Sequence, residues 1–348
     1  MYGWLSRPGT NWWRGQDGVR AGFRIVVFII ILFLITALTG LGTVLISALA
    51  KQFGSSPLNT SSNVFGGSLD KVQAHPSFSA ALQAAVHHIP PQPVLLLQAV
   101  SSVIALLITV AIMTRFEKRS LVSCYLEAKN QIGLVAIGLI CGLAAFIVIL
   151  GIVIITGHAT LHAQHQPLGT DLYYGFTWIV IALISAFVSE FSLRGYVQQT
   201  LTAGMGFWGA LVLTSLAPCL MTSLGMMMLT KSFSIVAFVS TFGLGVMLCV
   251  GLRQTGSLWW SIGFEAAWGF CQSFLFGSNV KILHTEVIMP GALFHTTLHG
   301  APLLSGGDQG LQSGLACIIV ELIVILLLLA LRRPAILPTA KTASLNPN

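Results

Sequence analysis

The chain reads as an all-α, polytopic transmembrane helical bundle of about eight spans, and three observations predict it. Hydrophobic residues make up 55% of the 348 and charged residues only 8%, with a mean hydropathy of +0.85. Soluble domains average about 25% charge, so the composition excludes an ordinary soluble domain. Eight stretches approach the ~20 apolar residues that cross a hydrocarbon core. They fall near 23–49, 93–114, 132–156, 173–193, 207–229, 233–252, 257–276 and 314–331. None shows the short alternating segments of a membrane β-barrel.

Taken in order, residues 1–22 are expected to form a cytoplasmic tail, with Trp4, Trp12 and Trp13 among arginines as an interfacial anchor. The apolar run 25–50 is too long for a signal h-region, so it is expected to remain as the first span. Residues 23–114 then supply two spans around a long loop, 51–93, rich in Ser, Asn, Gly and Pro; its 76–88 stretch suits a surface helix. Residues 115–331 form the main domain, opened by a basic loop at 115–131, and 332–348 form a second cytoplasmic tail. Within the domain, Gly138 and Gly142 make a GxxxG helix-packing signal. The loop 277–313 is apolar enough to dip into the membrane, provided that neighbouring helices cover its irregular backbone.

Charge orients the bundle. With a cytoplasmic start, 13 of the 17 basic residues fall on inside segments and 4 on outside segments, the positive-inside imbalance. The net charge of +7 follows from this asymmetry and from attraction to anionic membrane lipids, and calls for no nucleic acid. None of the six cysteines lies in an outside loop, which excludes an extracytoplasmic disulfide framework.

Glu190 and Arg194 stand four residues apart inside an apolar helix. A carboxylate at membrane depth costs roughly 2.5–3.5 kcal/mol on insertion scales, so it marks a structural ion pair or a functional site. At this spacing the two share a face and can pair. Arg194 is expected near the cytoplasmic interface, where a long side chain can snorkel. Two further acids, Glu265 and Glu321, lie in later spans. Glu321 reads either as a protonated buried glutamate or as part of a proton path.

Residues 189–196, Ser-Glu-Phe-Ser-Leu-Arg-Gly-Tyr, followed by Gln198, Leu201 and Phe207-Trp208, resemble the first signature of the CPBP intramembrane proteases, the family that includes the CAAX prenyl endopeptidases. That signature reads Glu-Glu-x-x-x-Arg-Gly-Tyr. Arg253 with Gly256-Ser257-Leu258-Trp259, then Glu265-Ala266, is similar to its closing motif, in which Arg-x-x-x-Gly-Ser-Leu-Trp leads to His-Ala-x-x-Asn. The helix through Thr214–Leu216 matches the one that carries Phe-x-x-x-His. The resemblance covers roughly 115–276 and implies a helical membrane fold in which a glutamate and histidines activate a water, with or without a divalent metal.

Mapped onto this chain, the site comprises Ser189 in place of the first glutamate, Glu190, Arg194, Thr222 in place of the first histidine and Glu265 in place of the second; Pro218 and Gly269 replace the phenylalanine and asparagine. All nine histidines lie outside the spans, so no imidazole is left at membrane depth to act as base or ligand, and no metal or other cofactor is expected. His158, His162 and His165, and His295 with His299, have spacings that zinc or copper could use, but the glycines and proline around the first group favour solvated loops.

The expectation is therefore a catalytically impaired endopeptidase homologue in a bacterial cytoplasmic membrane, binding hydrophobic or prenylated peptides or membrane proteins. Two alternatives stand. Glu190 and Glu265 could share a proton and still hydrolyse peptides, or the membrane acids could serve a transporter, against which the absence of internal repeats counts.

Overall fold

The computed structural model describes residues 14–15, 18–19, 26, 92–117, 124–126, 130–230, 233–277, 280–282, 285–287, 289 and 291–331. The first expected span, the 76–88 helix, most of the amino-terminal tail and the final tail lie outside these residues. Two short strands, β1 (Arg14–Gly15) and β2 (Gly18–Val19), pair near the start of the chain. The helices are α1 (Gln92–Glu117), α2 (Gln131–Ile155), α3 (Leu168–Glu190), α4 (Gln199–Thr230), α5 (Ile235–Thr255), α6 (Leu258–Phe270), the one-turn α7 (Pro302–Ser305) and α8 (Leu315–Ala330). A π-helical segment, Phe191–Gln198, joins α3 to α4, and a shorter one, Cys271–Leu275, extends α6.

Among the described residues, three helical segments are long and apolar enough to cross a membrane: Gln131–Ile155, Leu168–Leu224 and Ile235–Thr255. Their outward faces are apolar too. Ile140, Ile147, Val148 and Phe176 are exposed, as are Leu326 and Leu327 on α8. Helices apolar on all sides belong in a membrane or a deep core.

Each boundary has a local cause. Asn130 caps α2 by accepting from the Gly133 N–H at 3.1 Å, and Ser234 caps α5 by accepting from Ala237 at 3.2 Å. Gly256 ends α5 at φ +71°, and Ser257 immediately caps α6. The expected inside loop at 194–206 is instead largely helical. No residue between Glu190 and Met205 breaks a helix strongly, so the chain continues until Gly206, whose φ of +79° and ψ of 169° only glycine adopts freely. There the chain kinks before continuing as the rest of α4.

Helix α6 is central, packed on α2, α3 and α5, while α8 lies against α5 and α2 and α1 lies on α3. The α2–α6 contact runs backbone to backbone. A Cβ on Gly138 or Gly142 would collide with the Trp260 or Phe264 carbonyl, and one on Gly263 with that of Val135. The GxxxG pair therefore does what its spacing suggested, and small residues let the helices close. One core gathers Phe146, Leu248, Phe264, Trp268 and Cys317; a second gathers Leu106, Tyr196, Leu252, Leu258 and Ile262.

The loop after α6 is more ordered than sequence suggested. Strand β4 (Val280–Ile282) pairs with β5 (Thr285–Val287), and β6 (Phe294–Leu298) pairs antiparallel with β3 (Ala159–Ala163) at the far end of α2. Residues 307–313 then form two 3₁₀ turns with Leu311 and Ser313 buried. Ser240 of α5 donates to the Gln312 carbonyl at 2.5 Å. Irregular backbone between helices is thus given a partner from a helix side chain, as a non-aqueous setting demands.

Candidate active site

The site forms where the carboxyl end of α3 and its π-helical continuation meet α5 and α6. Glu190 is fully buried and Arg194 is 4% exposed. One π turn places the guanidinium back over the glutamate, and Arg194 Nη1 donates to Glu190 Oε1 at 2.6 Å. The snorkelling expectation is corrected here: in a segment buried along nearly its whole length, the arginine turns inward to its counter-ion. An uncompensated buried charge would cost several kcal/mol, so pairing governs the rotamer. Glu190 Oε2 and Arg194 Nε are left without hydrogen-bond partners.

Ser189, one residue earlier, faces α6. Its hydroxyl lies 2.8 Å from Glu265 Oε2 and 3.1 Å from the Ala186 carbonyl. One hydroxyl proton serves one acceptor at a time. With Glu265 ionised, Ser189 donates to it. With Glu265 protonated, the carboxyl donates to Ser189 Oγ and the serine proton goes to Ala186. Glu190 and Glu265 are neighbours, with Ser261 beside Glu190. Behind them Cys249 donates to Gln198 Oε1 at 3.3 Å, with Thr214 and Ser215 on its other side.

Glu265 opens on a cavity of about 410 Å³ between α3, α4, α5 and α6. Thr222, Gly269, Trp178 and Trp268 share its wall. Thr222, Glu265 and Gly269 thus line one cavity, and Ser189, Glu190 and Arg194 adjoin it through contacts that run from Glu265 inward. Ser189, and not Thr222, is the hydroxyl bonded to Glu265; Thr222 is itself exposed.

Sequence reasoning missed two features. Glu321 opens on the same cavity, together with Gln312, Ser240, Thr241, Gln272 and Ser273. An acid in the last apolar helix was visible, but nothing in the sequence placed it opposite Gly243 of α5, which leaves room for its carboxyl. Cys249 was also missed, and Gln198, although quoted with the first motif, was given no place in the site.

The donor set does not suit a divalent metal. Arg194 already neutralises Glu190, and among the described residues no imidazole lines the cavity. Among the described residues, no three His, Cys, Asp or Glu side chains gather to hold an ion. The described histidines sit elsewhere. His162 and His295 are register partners across β3 and β6, and His299 bonds Thr160 at 2.9 Å. The first group is thus on and around a strand, neither a helix face nor a plain loop. His75, His87, His88 and His284 lie outside the described residues.

The second sequence motif has a structural role. The Leu258 N–H donates to the Tyr125 carbonyl at 3.0 Å and Trp259 Nε1 to that of Leu126 at 2.9 Å. Arg253 lies over the rings of Phe207 and Trp208, at 4.9 and 4.6 Å from their centroids. These contacts fix the start of α6, and with it the depth at which Glu265 meets Ser189.

Comparison with curated proteins and with solved structures finds no match. Residues 172–271 match the model of the family described as type II CAAX prenyl endopeptidase Rce1-like. The matched segment holds both carboxyls, the arginine and the cavity face of α3 and α6. This match supports membership of the CPBP/CAAX-protease family, and with the three apolar helical segments it makes the chain an integral membrane protein.

Proposed function

We propose that the protein is a CAAX-protease-type membrane protein that binds a hydrophobic or prenylated peptide segment in the cavity beside Glu265 and does not cut it. The observation behind this reading is the composition of the site. The motif positions converge on a ligand-sized cavity, yet the two that carry histidine in the family are Thr222 and Glu265. Neither a hydroxyl nor a carboxyl locked to Ser189 substitutes directly for an imidazole poised to deprotonate water. The Glu190–Arg194 pair then serves as an internal strut. Eight spans, with both termini cytoplasmic and the site reached within a bacterial inner membrane, complete the proposal; the 13-to-4 distribution of basic residues supports that orientation.

One observation favours a second reading, retained hydrolysis. Ser189 Oγ lies 2.8 Å from Glu265 Oε2, the geometry of a nucleophile and its base. In that scheme Glu265 takes the serine proton as Oγ attacks the peptide carbonyl. The amine leaves with that proton, and water hydrolyses the acyl-serine. The deciding experiment reconstitutes the full chain in vesicles with prenylated and membrane-embedded peptides, comparing wild type with Glu190→Gln, Glu265→Gln and Ser189→Ala. Binding without cleavage is expected throughout. Cleavage by wild type that any of these substitutions abolishes would replace the binding reading with the enzymatic one.

A further inference from the structure

We infer that the cavity between α3, α4, α5 and α6 is a binding site for an organic ammonium group, held by Glu321 and Glu265. This goes beyond the peptide-binding reading and does not depend on it. Two carboxyls open on this space, and among the described residues its wall carries no lysine, arginine or histidine. Glu190 has Arg194, whose charge also reaches Glu265, while among the described residues Glu321 has no cation beside it. A buried carboxylate without a counter-charge is costly, so a positive partner has a ready place here.

The state of Glu321 is the second observation. It is 3% exposed, and its Oε2 has no partner. Its Oε1 receives only a thiol contact from Cys317 at 3.2 Å and a long one from Ser240 at 3.4 Å. The serine's shorter bond goes elsewhere, to the Gln312 carbonyl. Gln312 Oε1, on the same wall, is also unpartnered. The wall thus offers spare acceptors and no spare cation, the complement of an N–H-rich or quaternary positive group. Trp178 and Trp268 on the wall add aromatic surface of the kind that attracts such cations. The volume of about 410 Å³ suits a small organic molecule and would leave a bare metal ion loosely enclosed.

The test titrates purified full-length protein in uncharged detergent with benzylammonium and benzyltrimethylammonium, reading tryptophan fluorescence and heat. Benzyl alcohol serves as the neutral isostere, with calcium and zinc as competitors. Both ammonium ions should bind at least tenfold more tightly than the alcohol. Glu321→Gln should weaken them at least tenfold, and Gln312→Ala severalfold. Folding of each variant is checked by melting temperature. If Glu321→Gln does not fold, the wild-type discrimination and Gln312→Ala decide. Equal affinity for the alcohol, no binding of either ammonium, displacement by the metals at lower concentration, or a folded Glu321→Gln with unchanged affinity would each overturn the assignment. Peptide binding could survive any of these results, so the two readings fail separately.

Discussion

Glu190 and Arg194 show how one pair sets the local geometry. Their four-residue spacing predicts contact, but the π-helical turn that follows Glu190 makes the contact short and buried. Removing one partner of such a pair leaves a bare charge in the packed interior, which costs about 3–5 kcal/mol. Arg194→Met should therefore destabilise the protein by about that amount. The double variant Arg194→Met with Glu190→Leu should recover most of it, because apolar replacement of both partners is close to neutral. Chemical unfolding in micelles measures both. A strictly additive double variant would mean that the two residues do not act as a pair. Trp259 is a milder case. Its indole donates to Leu126 at the start of α6, so Trp259→Phe should cost about 1 kcal/mol in the same assay.

At the scale of elements, the α2–α6 contact is the structural spine, and glycine makes it possible. Gly142 has no room for a side chain against the Phe264 carbonyl, whereas Gly151, on the same helix, meets nothing within 4 Å. Gly142→Val should cost at least the 1–3 kcal/mol typical of overpacking. Gly151→Ala should instead stabilise by about 0.5–1 kcal/mol through helix propensity. Opposite signs on one helix separate packing from composition, and melting temperatures in detergent report them. The elements also show where sequence is legible. Apolar runs located α2, α3, α5 and α8, because span length and hydropathy are local properties. Two things were not local. The packing around Phe191 and Tyr196 draws on residues as distant as Leu106 and Ile262, and the β3–β6 pairing joins segments more than a hundred residues apart. Neither long-range contact leaves a periodic signature in a single chain.

Across the whole molecule, the cavity is the feature that sequence foresaw least. The motif positions were readable because residue types and spacings repeat a known pattern, so Ser189, Glu190, Arg194, Thr222 and Glu265 were all named from the chain. Their convergence on one space, and the arrival of Glu321 and Gln312 from the far end of the sequence, required the packing of five helical elements and a 3₁₀ turn. Helices α3 and α4 adjoin in sequence yet pack on different partners, α6 and α5, which keeps the space between them open. Gly269 tests whether that space is used. A Cβ there would find only the Ala182 methyl, at 3.9 Å, so a larger side chain can enter the cavity without striking backbone. Gly269→Leu should keep or raise the melting temperature, since leucine is the better helix former. It should also weaken binding of a prenylated peptide at least tenfold by filling the site. A folded Gly269→Leu that binds peptide as wild type does would place peptide recognition outside this cavity and remove the main support for the proposed function.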